Sequence, residues 1–293
     1  MAFRNLLSAD RGAVRTLTVH RPDKLNALNR DTLNELAIAF EQARHDDAVR
    51  VVVLAGAGEK AFVAGADIAE FSTLSPVQAQ AFSRAGQQLM RGIERFPKPV
   101  LARIQGFALG GGMELAMSCH LRVASERAKF GQPEINLGVI PGFGGTQRLA
   151  RLAGRAAALE LCLLGHSIDA ARALALGVVT RVVAPELLDA EVDALADQLA
   201  AAAPHALAGI LDTVVLGEDM ALDQALDYAA KLRLPADTSK ADRRAVVESV
   251  LAELELTQHR AKRVEKLSGG QRKRASVAME LLTGPSLLIL DEP

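Results

Sequence analysis

The sequence predicts an α/β fold, on three observations. Short β-branched runs, each closed by a polar residue or a glycine, read as strands. Segments with apolar residues at helical spacing stand between them, and two glycine-rich loops each lead into a helical stretch.

The first strands are TLTVH (Thr16 to His20), VRVVVLAG (Val49 to Gly56) and KPVLARIQG (Lys98 to Gly106). Between the first two, Leu33, Leu36, Ala37 and Phe40 recur at helical period, and Thr32 with Glu35 has the form of a capping box. Ser75 to Phe96 reads as a longer helix, and Val192, Leu195, Ala196 and Leu199 mark another. Near Leu232 the composition shifts. From RLPADTSKADRR onward the chain is charged, passes through a helical stretch (Val246, Val247, Val250, Leu251, Leu254), and reaches LSGGQRKR and finally LLILDEP.

Composition narrows the function. With 293 residues, 49% of them hydrophobic, the chain can bury one large core or two modest ones. Lys plus Arg (34) nearly balance Asp plus Glu (35), so no global field draws it to nucleic acid or to an anionic membrane. The expected partner is a small molecule or another protein. Cys119 and Cys162 are too few and too far apart for a disulfide framework or a zinc site, so no metal is expected and a reducing, cytoplasmic setting fits. The N-terminus MAFRNLLSADRG is charged too early for a secretory segment, and no apolar run approaches the roughly 18 residues of a membrane helix.

The two loops are KAFVAGADI (Lys60 to Ile68) and GFALGGGMELAMSC (Gly106 to Cys119). Small residues before a helix leave backbone N–H groups unpaired and let a ligand approach the main chain, so each loop can offer a donor to an oxygen that gains charge. Neither is a phosphate P-loop, because no Lys-Ser or Lys-Thr follows the glycines. Glu114, within the second loop, and Glu134, in FGQPEINLG, are candidate carboxylates. A glutamate in a first helical turn is also favoured by the macrodipole, so spacing alone leaves a purely structural reading open.

The ordered pattern HRPDKLNALN, KAFVAGADIAEF, GFALGGGMELAMSCHLRVASERAKFGQPEINLGVIPGFGGTQRL and GHSIDAARALALGVVTRVV resembles the enoyl-CoA hydratase (crotonase) family from about Phe3 to about Leu232. The resemblance implies a spiral of ββα repeats, assembly as homotrimers or hexamers, and an acyl-CoA substrate, with coenzyme A as part of that substrate and no separate cofactor. It matches the amides of Ala66 and Gly111 to an oxyanion hole and Glu114 and Glu134 to two catalytic carboxylates. It also matches the strip Ala64, Ala66 and Ile68 to adenine binding. Local charge and family layout place Lys24 and Arg21 near the coenzyme A phosphates, whereas His20 reads as a strand-end residue and Asp67 as a helix cap. Retention of both glutamates favours hydration over isomerisation or another acyl-CoA lyase reaction.

A second resemblance covers about residues 221–293. LSGGQ (Leu267 to Gln271) and LLILDEP (Leu287 to Pro293) are similar to the signature and Walker B motifs of an ATP-binding cassette. In a whole cassette Asp291 would help hold magnesium, Glu292 would polarise water, and Ser268 to Gln271 would reach a nucleotide. No GxxxxGK[ST] occurs in the sequence, so ATP hydrolysis is not expected. The expected organisation is a hydratase domain at 1–232 lacking its usual C-terminal helices, then a partial cassette at 233–293, helical with one orphan strand. The join lies between about Ala221 and Leu232. With most flanking strands of a cassette sheet missing, the tail is expected to be poorly ordered, and RKR (Arg272 to Arg274) reads as a solvated face.

Overall fold

The computed structural model describes residues 3–217, 221–235 and 237–282. By its internal contacts the chain divides into two compact units, Met1–Leu207 and Ala208–Pro293.

The first unit opens with an antiparallel hairpin, β1 (Leu6–Arg11) and β2 (Val14–Val19), followed by helix α1 (Arg30–His45). Three ββα turns then follow in sequence. The first is β3 (Val51–Gly56), β4 (Ala61–Val63), the short α2 (Ile68–Phe71) and the long α3 (Pro76–Glu94). Next come β5 (Val100–Ile104), β6 (Phe107–Leu109) and α4 (Gly111–Ser118), and then β7 (Leu121–Ser125), β8 (Lys129–Gly131) and α5 (Gly145–Leu164). The unit continues through β9 (Ser167–Asp169), α6 (Ala170–Ala175), β10 (Arg181–Val183) and α7 (Leu188–Ala201).

Each turn places its first strand in a six-stranded sheet of order β1-β2-β3-β5-β7-β10 and its second in a four-stranded sheet of order β4-β6-β8-β9. From β2 to β10 the large sheet is parallel, as are β4, β6 and β8. Parallel neighbours need a crossover between them, and here the second strand and its helix supply it. The result is the spiral of ββα repeats.

Both faces of the large sheet are covered. All six residues of β3 are buried: Val52 and Leu54 join the cluster containing Leu36, Phe40, Met90 and Phe96, while Val51 and Val53 pack with Val192, Leu195 and Ala196 of α7. Alternate residues point to opposite faces, so a strand covered on both sides reads as a continuous apolar run rather than an alternating one.

The expected capping box at Thr32 and Glu35 is replaced by a different arrangement. The helix begins earlier, with extended Asn29 as its cap: the Asn29 Oδ1 accepts from the Thr32 amide at 2.9 Å and from its hydroxyl at 2.6 Å. Asn is as good a cap as Ser or Asp, and Glu35 is thereby released to accept from the amides of Arg4 and Asn5 at 3.0 and 2.8 Å. At α3 the box does form, with Ser75 as the cap, Pro76 at the first helical position and Gln78 returning the bond.

His120 fastens α3 to the sheet in a neutral form. Its Nδ1 accepts from the Val100 amide at 2.9 Å, so Nε2 carries the proton and donates to the Glu94 carbonyl at 3.1 Å. Burial pushes its pKa down to about 4. An unfolded histidine takes up its proton near pH 6.5, so this group leaves stability intact above that pH and lowers it as pH falls toward 4. At pH 5 the loss is about 2 kcal/mol. His120→Gln can keep both hydrogen bonds without titrating, so its stability relative to the parent, read by urea denaturation, should improve by that amount between pH 7.5 and 5. An unchanged difference would refute the neutral assignment.

The second unit begins within α8 (Pro204–Gly217) and contains α9 (Leu222–Arg233), α10 (Lys240–Glu253) and α11 (Gly269–Leu281). The tail has a core of its own: Leu222, Leu226 and Ala230 of α9 pack with Val247, Val250 and Leu251 of α10 and Ala275 and Ala278 of α11. Helices of matching apolar stripe thus cover one another where a sheet was missing from the expectation. Helix α9, whose sequence also resembles the hydratase family, packs with these helices. In the signature motif Ser268 caps α11 in a capping box with Gln271, whose amide nitrogen also meets His259 at 2.7 Å. The expected strand LLILDEP lies outside the described residues. Among the described residues no single helix is long and apolar enough to cross a membrane.

Candidate active site

The second glycine loop connects β6 to α4, and the chain turns at Gly110 with φ of 51°. That left-handed conformation favours glycine. The same position permits a close approach, since a Cβ there would lie 2.9 Å from Glu134 Oε1. Gly111 opens α4, where an amide has no partner within its own helix. A Cβ on Gly111 would stand 3.5 Å from the Ala66 nitrogen, so the two loops meet at these residues. Neither the Ala66 nor the Gly111 amide has an acceptor among the described backbone hydrogen bonds.

Ala66 is held from both sides. The Gly65 carbonyl accepts from Leu28 N at 2.8 Å, and Asp67 N donates to the Leu28 carbonyl at 2.8 Å. Asp67 stands at the start of α2 but does not cap it with its side chain, because its carboxylate binds Arg21 at 2.7 Å. The Arg21 guanidinium beside it holds the Asp67 carboxyl below its usual range. Arg21 also donates to the Ala27 carbonyl at 2.5 Å, so it ties the first loop to the segment after β2. Lys24 is exposed and has no ion pair among the described residues. Ala64 gives its amide to the Leu25 carbonyl at 3.0 Å, Ile68 is exposed, and so is His20 just beyond β2.

Glu114 is buried, on the first turn of α4. One of its oxygens accepts from the amides of Phe143 and Gly145 at 2.8 and 2.6 Å. Burial raises its pKa to about 6, against the pull of those two amides and of the Arg148 cation. Glu134 lies on a 3-10 turn, Pro133–Leu137. Burial pushes its pKa up to about 7, and the negative charge of Glu114 raises it further. Buried Gln132 turns its amide nitrogen toward Glu134, 3.1 and 3.2 Å from the two carboxylate oxygens.

Two amides and two carboxyl groups therefore lie where the loops meet, with the pKa of each carboxyl raised above its ordinary value by burial. All four are residues that the sequence reading proposed. It did not single out Gln132, Arg148 or the amides of Phe143 and Gly145. The segment GFGGTQR carried a signal for the latter, because its glycines precede a helix as those of the first two loops do. Among the described residues no cluster of three or more His, Cys, Asp or Glu is placed to hold a metal ion.

The spiral of ββα turns and the meeting of the two loops beside Glu134 set the frame for comparison with known proteins. Residues 10–237 match the enoyl-CoA hydratase/isomerase family, and the chain belongs to that family. Residues 194–293 match the ABC transporter family, so the two matches overlap from 194 to 237. The chain is 42% identical over 231 residues to the short-chain-enoyl-CoA hydratase of Clostridium acetobutylicum, a match covering 79% of this chain and 88% of that one. It is 46% identical over 199 residues to the crotonyl-CoA hydratase of Syntrophomonas wolfei, covering 68% and 76%. Among solved structures it resembles the enoyl-CoA hydratase of Bacillus anthracis, with a TM-score of 0.75 and 35% identity over 78% of this chain and 89% of that one.

Proposed function

We infer that the protein hydrates 2-trans-enoyl-CoA thioesters to 3-hydroxyacyl-CoA, as an enoyl-CoA hydratase of the fatty acid β-oxidation type. The observation that carries this reading is the convergence of the Ala66 and Gly111 amides with Glu114 and Glu134. Names of relatives at 42 and 46% identity, a short-chain-enoyl-CoA hydratase and a crotonyl-CoA hydratase, support it.

Addition of water to a 2-enoyl thioester drives electrons into the thioester oxygen. The Ala66 and Gly111 amides donate to that oxygen and stabilise the enolate-like charge more than the ground-state carbonyl. One such donor is typically worth about 3 to 4 kcal/mol of barrier. Glu114, held in its charged form by two amides and a nearby cation, takes a proton from the water as it adds to the β-carbon. Glu134, the more readily protonated of the two, delivers a proton to the α-carbon. Water contributes its hydroxyl and, through the two carboxyls, its hydrogen, so no cofactor is required.

Coenzyme A is assigned to the first loop, with its adenine against Ala64, Ala66 and Ile68 and its phosphates near Lys24. Lys24 suits that role because it is exposed, whereas Arg21 is already committed to Asp67. Residues 1–232 are the hydratase part by ancestry and 233–293 the cassette part. Family precedent supports a homotrimer or hexamer, and the cytoplasm is the assigned compartment.

The test is conversion of crotonyl-CoA to 3-hydroxybutyryl-CoA across pH. A charged Glu114 with a protonated Glu134 is most populated between their pKa values of about 6 and about 7. The expected kcat/KM profile is bell-shaped with its maximum in that interval. Turnover with a flat profile from pH 5 to 9 would remove the two-carboxyl assignment, and no turnover by folded protein would remove the hydratase reading.

A further inference from the structure

Arg148 is a buried cation that takes part in none of the proton transfers just described. It rises from the first turn of α5 and is 8% exposed. Its Nη1 donates to the Phe143 carbonyl at 2.8 Å and its Nη2 to Glu94 Oε2 at 3.1 Å, while its Nε has no partner. The site is also shaped around the guanidinium: a Cβ on Gly144, whose φ is 100°, would lie 2.6 Å from Nη1.

The bond to Phe143 has a direct consequence. The peptide whose carbonyl accepts from Arg148 belongs to the residue whose amide binds Glu114, and Gly145, the second donor to Glu114, is two residues on. We propose that Arg148 is a positioning residue for the hydration: through the Phe143 carbonyl it fixes the Phe143–Gly145 turn, whose two amides orient Glu114 and keep it charged. The proposal rests on the hydratase reading for its catalytic consequence only.

Ionisable neighbours can be separated by direction. Glu134, from the turn after β8, opposes charge on Glu114, and the Cys162 thiol on α5 is pushed up by burial and then by both carboxylates. Arg148 is the cation that favours a charged Glu114. Beyond it, Glu94 on α3 partly offsets the Arg148 charge, and Cys119 lies near both Arg148 and Arg122. Removing Arg148 therefore releases the turn and withdraws the cation, and both changes raise the pH at which Glu114 ionises.

The experiment compares Arg148→Gln, Arg148→Lys and Glu94→Gln with the parent. For Arg148→Gln, kcat for crotonyl-CoA should fall about 100-fold, KM should change less than about twofold because coenzyme A contacts are untouched, and the acidic limb of kcat/KM should move to higher pH. Arg148→Lys keeps the charge without the fork, so it should return the limb toward its parental position while kcat stays reduced. If Arg148→Gln does not fold, Glu94→Gln carries the test, because it loosens the guanidinium from the far side at a half-exposed carboxylate. It should lower kcat several-fold with KM unchanged.

A substrate-free readout separates this proposal from the function. In protein labelled with 13C at glutamate carboxyls, the Glu114 signal, identified by its loss in Glu114→Gln, should titrate at higher pH in Arg148→Gln; if that variant does not fold, Arg148→Lys, which keeps the charge but not the fork, should show a smaller shift in the same direction. If the parent fails to hydrate crotonyl-CoA while this titration moves as expected, the hydratase reading falls and the positioning role stands. A Glu114 titration and pH–rate profile both unchanged in the folded variant would overturn the proposal.

Discussion

Glu134→Gln is expected to lower kcat for crotonyl-CoA hydration by about a thousandfold, within the range for loss of a positioned general acid or base. The amide keeps the size and the hydrogen bonding available to Gln132 but cannot deliver a proton. Glu114→Gln should lose a comparable factor, because its amide oxygen still accepts from Phe143 and Gly145 yet cannot take a proton from water. The two losses should not multiply in the double variant, since the groups act on one proton inventory.

Stability distinguishes these losses from unfolding. The folded-state pKa of Glu134 is raised to about 7, so its contribution is fully present below the unfolded value near 4.5 and is lost as pH rises through 7. Glu134→Gln removes that penalty, and its Tm at pH 8 should therefore exceed that of the parent. Near-normal hydration by either single variant would sink that residue's assignment. A lower Tm for Glu134→Gln at pH 8 would contradict the half-buried, high-pKa carboxyl.

The second large effect is structural. Gly112→Ala should destabilise the first unit by at least about 3 kcal/mol in urea denaturation and abolish hydration. A Cβ there would lie 1.8 Å from the Val63 carbonyl oxygen and 2.6 Å from its carbon, so relief requires α4 to move away from β4. That movement separates the Gly111 amide from the first loop. Gly92→Ala is the matched control. Gly92 lies inside α3 with nothing within 4 Å of its Cβ position, so alanine there should stabilise by roughly 0.5 to 1 kcal/mol. Equal effects of the two substitutions would show that the loops are not packed as described.

Nothing in the local sequence separates those two glycines. GGGMEL and MRGIE differ in setting, but the contact with Val63 joins residues 49 positions apart and exists only after β4 and β6 pair. The capping arrangement at α1 has the same character. Thr32 and Glu35 satisfy the local pattern, while the amides of Arg4 and Asn5 that claim Glu35 are brought there by the fold. Asp67 likewise has a cap's sequence position and a salt-bridge partner 46 residues away.

By itself the sequence determined the α/β class, the principal helices and strands and the family, and it proposed the four groups of the candidate site. Period, β-branching and glycine loops are local properties, and the family motifs preserve order and spacing along the chain. Tertiary structure decided which amides face one another, that the pKa of each of the two glutamates is raised by burial, and that the helices of the tail cover one another's apolar faces. It also decided that Arg148 reaches the turn holding Glu114. These outcomes depend on burial, on charge across space and on contacts between segments distant in sequence, and such quantities have no value until the chain has closed on itself.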